Sequence, residues 1–102
     1  MNEVKHTPGP WFVTGSMTKY IEARIPSGLI QEVAACGPTE ADGGYGPQQQ
    51  ANAKLIAAAP DLLDALIKLH ESLESLNNSG DAGQMVADDV ETARAAIAKA
   101  TQ

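Results

Sequence analysis

Ala51-Asn52-Ala53-Lys54-Leu55-Ile56-Ala57-Ala58-Ala59-Pro60-Asp61-Leu62-Leu63 decides how this chain is read. Asn52, Leu55, Ala59 and Leu62 fall at alternating steps of three and four, and the series continues through Leu66, Leu69, Leu73 and Leu76. Ile56, Leu63 and Ile67 widen it into a face suited to a core rather than a narrow seam. The spacing predicts a long helix with Asn52 at a core-facing position among alanines. Pro60 lies inside the run, and its missing N–H and its ring kink or divide a helix. The register passes through Pro60 without slipping, and Ala59 is a poor N-cap. One bent helix is therefore expected, with Asp64 and Lys68 as an i,i+4 pair on its outer side.

Upstream of this helix the chain reads as strands. Pro8 and Pro10 exclude a helix before Trp11–Thr14, which is short and extended. From Lys19 to Ile25 the residues alternate, with Ile21, Ala23 and Ile25 on one side and Tyr20, Glu22 and Arg24 on the other. That is the period of a half-buried strand. Pro26-Ser27-Gly28 supplies a fixed φ and a glycine for positive φ, which makes a hairpin connection to a strand from Leu29 to Cys36. Between 37 and 47 the chain holds four glycines and two prolines. No Lys-Ser/Thr follows them, so a connector is a better reading than a phosphate loop.

Downstream, Asn77-Asn78-Ser79-Gly80 ends the long helix. Asp81, with Gln84 three residues on, resembles a capping box for a last helix whose apolar face is Val86, Val90, Ala93 and Ile97. Lys99 suits the C-terminal end of that helix. The fold class expected is α+β: an antiparallel meander of about three strands, then a kinked helix and a C-terminal helix closing a helical hairpin. The hairpin is expected to lay its stripe on one face of the sheet. Residues 1–102 read as one domain, divided into a meander (1–36), a Gly/Pro-rich loop (37–47) and the helices (48–102).

Composition narrows the function classes. The formal charge is −6, from seven basic and thirteen acidic residues, and aromatics make up only 4%. Binding nucleic acid directly calls for a basic face, which this balance does not provide. Cys36 stands alone, so no internal disulfide forms, in keeping with a reducing cytoplasm. No stretch reads as a signal peptide or a membrane span.

A search for chemistry finds little. His6 and His70 have no partner at metal-ligand spacing. Asp88, Asp89 and Glu91 point in different directions from one helix and read as a solvated face. Cys36 and the serines lie in no nucleophile context. The expectation is therefore a protein that is not an enzyme and carries no metal or cofactor.

His6-Thr7-Pro8-Gly9-Pro10-Trp11 stands near the start, followed at a distance by the segment of 51–63. Together they resemble a family of small proteins encoded in bacteriophage and prophage genomes. Lys54 stands at the family's basic position and Asp61 at its acidic one, and a closing helix such as 93–100 is also typical of it. The resemblance implies an accessory protein acting in the cytoplasm of an infected bacterium by binding some host component. One class of such proteins sequesters the cyclic nucleotide or ADP-ribose-type signals of antiviral immunity.

Two functional expectations follow. The first is a homo-oligomer that holds a small phosphate-containing ligand of that type through Thr7, Gly9, Trp11, Arg24, Asn52 and Lys54. Tryptophan offers a stacking face and an N–H, and cations with a helix N-terminus recognise phosphate despite a negative global charge. The second is an acidic protein–protein inhibitor or adaptor acting on a host protein. For both segments a purely structural role is also open. The opening motif would then be a rigid lead-in anchoring Trp11, and Asn52 would satisfy buried backbone where helix meets sheet.

Overall fold

The structure is a computed structural model that describes residues 5–80 and 84–101. Its elements run β1 (Trp11–Thr14), β2 (Lys19–Arg24), β3 (Ile30–Cys36), α1 (Pro47–Ala57), α2 (Ala59–Asn78) and α3 (Gln84–Thr101). The fold is α+β, with the strands first and the helices after them. The chain divides into two compact units, Met1–Asp61 and Leu62–Gln102.

In the first unit the three strands form an antiparallel sheet in the order β1-β2-β3. Trp11 opposes Ala23 and Val13 opposes Ile21 in one pair of strands. Tyr20 opposes Ala35, Glu22 opposes Glu32 and Arg24 opposes Ile30 in the other. The register shifts between Ile21 and Glu22, so Val33 is an extra residue in β3 that bends the strand. Ile21 and Ala23 are wholly buried, as their alternation predicts. Gly28 closes the β2–β3 hairpin at φ 90°, which a residue with a Cβ rarely adopts.

α1 packs on all three strands. Its inward residues are Gln49, Ala53 and Ile56, which recur at helical spacing. This corrects the reading of the stripe. Asn52 is exposed, and Leu55, one turn further on, is 64% exposed. The sheet is met by a face of Gln49, Ala53 and Ile56 rotated away from Leu55. Small side chains let the helix backbone approach the strands closely.

The expected single bent helix is interrupted at Ala58. Its N–H still reaches Lys54 O at 3.0 Å, after which a new helix starts at Ala59. Pro60 explains the break. It has no N–H for the Ile56 carbonyl, and its ring crowds the preceding turn. Pro60 is itself buried.

In the second unit, α2 turns Leu63, Leu66, Ile67, His70 and Leu73 inward, and α3 turns Val86, Val90, Ala93 and Ile97 inward. Arg94 Nη2 donates to Glu74 Oε2 at 2.7 Å, linking α3 to α2, and Arg94 Nε donates to Glu91 Oε2 at 3.3 Å within α3. The expected Asp64–Lys68 contact is not among the ion pairs of the described residues. The capping box expected at Asp81 lies outside the described residues.

Candidate functional site

The two segments singled out in the sequence meet in space. A Cβ placed on Gly9 would lie 3.0 Å from Cβ of Pro60, so the opening motif packs directly against the buried proline of the second motif. Only a glycine backbone approaches that ring so closely without displacing it. A few residues on, Trp11 is half-buried on the face of the sheet that carries Ala23. Its indole N–H donates to Thr7 O at 3.0 Å. His6 stands edge-on to the indole, with ring centroids 6.2 Å apart, and its Nδ1 lies 2.9 Å from the same carbonyl. Because Thr7 O can only accept, Nδ1 is the donor there.

Thr7, Gly9 and Trp11 are thus brought together, but around one another. The donor of Trp11 is already engaged within the chain. Arg24 is exposed on the opposite face of the sheet from Trp11, since Trp11 pairs with Ala23 and neighbouring strand residues alternate. Its Nη1 lies 3.4 Å from Gly28 O in the hairpin turn. Asn52 and Lys54 are both exposed and, two residues apart on α1, project to opposite sides of that helix. The six candidate residues do not form one cluster.

The polar centre of this unit is Gln49, which the sequence reading passed over. It is 1% exposed. Its side-chain nitrogen donates to Met17 O and to Cys36 O, both at 2.8 Å. One amide therefore ties the β1–β2 connection to the end of β3, in the structural role expected of Asn52. A glutamine one residue after Gln48 and one before Gln50 carries no pattern to distinguish it.

The N-terminus of α1 is occupied by the chain's own anion. Asp42 Oδ1 accepts from Gln48 N at 2.9 Å and Oδ2 from Gln49 N at 2.8 Å. Thr39 Oγ1 accepts from Asp42 N at 3.2 Å, and Thr39 pairs with Gly44 across the loop. Desolvation pushes the Asp42 carboxyl up, but the two backbone N–H groups and Thr39 outweigh it and hold the carboxyl below its ordinary value. A phosphate at this helix end would have to displace that carboxylate. Among the described residues no group of His, Cys, Asp and Glu is arranged to hold a metal.

The open face of the sheet, opposite α1, has a different character. Tyr20 and Ile30 are exposed there, beside the half-buried Phe12. Glu22 and Glu32 face each other directly across β2 and β3. Thr14 Oγ1 donates to Glu22 Oε1 at 3.1 Å and fixes that carboxylate in place.

These features describe a small α+β protein with a tightly packed motif junction and a charged, partly aromatic open sheet face that carries Arg24 beside Glu22 and Glu32. The family described as Salmonella phage P22 protein Y8K6 matches residues 1–102, and the chain belongs to it. It is a phage protein. No curated protein and no solved structure matches the chain. No described helix is long and apolar enough to cross a membrane.

Proposed function

We propose that this phage protein is a non-enzymatic binding protein that acts on a host protein, through the open face of its sheet. The observation that carries this reading is the pairing of Glu22 with Glu32 on an exposed face that also presents Tyr20, Ile30 and a single base, Arg24, whose Nη1 is turned to Gly28 O in the hairpin. Like charges directly opposite across strands destabilise a sheet. Their place on an exposed aromatic face fits a role in meeting Lys or Arg on a partner, with the ring of Tyr20 supplying contact area.

The alternative, sequestration of a cyclic nucleotide or ADP-ribose-type signal, has less support. The N–H of Trp11 is engaged by Thr7, the α1 N-terminus is filled by Asp42, and Arg24 and Trp11 project from opposite sheet faces.

Charge reversal tests the proposal. Glu32→Lys is expected to stabilise the isolated protein by about 0.2–1 kcal/mol by replacing repulsion with a cross-strand pair. Immobilised wild-type protein is expected to retain a discrete host protein that the Glu22→Lys/Glu32→Lys variant releases, while Lys54→Glu, on α1, retains it. Equal retention by the double variant would refute the assigned surface. Calorimetric binding of any cyclic nucleotide or cyclic ADP-ribose isomer would favour sequestration instead.

A further inference from the structure

α2 carries more apolar surface than its own unit covers. The half-buried side lies along Leu63, Leu66, Ile67, His70 and Leu73. Beside it runs a second line, Leu62, Leu69 and Leu76, which are 54%, 56% and 43% exposed. Seven residues make nearly two helical turns, so these three leucines lie almost in register along the helix. Ala65 and Ser72 interleave with them at steps of three and four, the spacing of a helix–helix seam.

We infer that this line is the contact surface for a second copy of the chain, packed helix to helix along α2. Charge leaves the line open to that occupant. No charged residue stands on it, and the edge beside it carries one acid and one base, Asp61 and Lys68. Two copies of a chain of net charge −6 therefore meet there with no carboxylate between the leucines, and the charges of that edge stay exposed to solvent. A basic partner would find only one carboxylate at that edge.

Symmetry selects it. The leucines are evenly spaced about Leu69, so a two-fold axis beside Leu69 sets Leu62 of each copy toward Leu76 of the other, as an isologous interface requires. The unit also lacks burial of its own. Val90, 3% exposed, is the one apolar side chain among its described residues that is fully buried. A pair of helices holds too little core by itself, whereas two pairs make a four-helix arrangement in which each α2 gains a second neighbour.

Light scattering on the full chain at tens of micromolar is expected to give twice the 10.6 kDa protomer mass. Leu69→Glu is expected to halve that mass with the helical circular dichroism kept. Leu29→Glu, at a leucine that is 68% exposed in the β2–β3 hairpin, is expected to leave it doubled. Should Leu69→Glu fail to fold, Leu69→Cys in a Cys36→Ser background decides the matter, because oxidation should link two chains covalently. A monomeric wild-type protein, a dimer indifferent to Leu69→Glu, or no cross-link through position 69 would each overturn the inference.

Discussion

Gln49 and Asn52 are both amides on the same helix, and burial gives them opposite roles. The Gln49 side chain donates to two main-chain carbonyls, Met17 O in the β1–β2 connection and Cys36 O at the end of β3. Gln49→Leu is expected to lower unfolding free energy by about 2–4 kcal/mol, because each carbonyl left unpaired costs about 1–3 kcal/mol. Asn52→Leu, at an exposed position, is expected to stay within about 0.5 kcal/mol of wild type. Urea titration of the two variants side by side checks both values. A larger loss for Asn52 than for Gln49 would reverse the assignment. Gln49 was illegible in the sequence because a lone buried amide leaves no periodic trace. The meeting of Gly9 with Pro60 left a clearer sign, since both residues belong to conspicuous segments, yet only the fold shows that each segment is the other's packing surface.

The strands were legible because β2 alternates cleanly, and Ile21 and Ala23 took the buried side that the alternation assigns them. α1 was legible as a helix but not in its orientation. The three-and-four series of leucines is real, yet it marks the side of α1 that the sheet leaves bare, and the buried side is held by Gln49 and Ala53. Close approach to the strands favours small side chains, and hydrophobic periodicity underweights them. Ala53→Leu is expected to overpack this contact and destabilise the protein by about 1–3 kcal/mol. Leu55→Gln is expected to leave thermal stability nearly unchanged, and melting both variants together tests the orientation of the helix. Acid acts on the same element. The folded-state value of Asp42 lies below its ordinary 3.8, so its contribution is fully present above that pH and is lost as the pH falls through the lower folded value. Unfolding midpoints followed from pH 6 to pH 2 are expected to show an acid-side loss that Asp42→Asn reduces. An unchanged acid limb in that variant would mean that the carboxylate does not hold the start of α1.

For the whole molecule, the few fully buried apolar residues set the terms. Among the described residues they are Ile21, Ala23, Ala53 and Pro60 in the first unit and Val90 in the second. Two of the five are alanines, which bury little area each. Such a chain has reason to complete its burial by association, and the leucine line of α2 is where the surplus apolar surface lies. Association couples stability to concentration. If the folded dimer melts to unfolded monomers, each tenfold dilution removes about 1.4 kcal/mol per mole of dimer. The melting midpoint should then fall by several degrees between high and low micromolar protein. The dependence should vanish in Leu69→Glu, whose folded form has no partner to lose, and persist in Glu32→Lys, whose change lies on the sheet. That contrast keeps the two surfaces apart. A midpoint that depends on concentration in wild type and Leu69→Glu alike would move the association elsewhere on the molecule, and dependence lost only in Glu32→Lys would place it on the open sheet face.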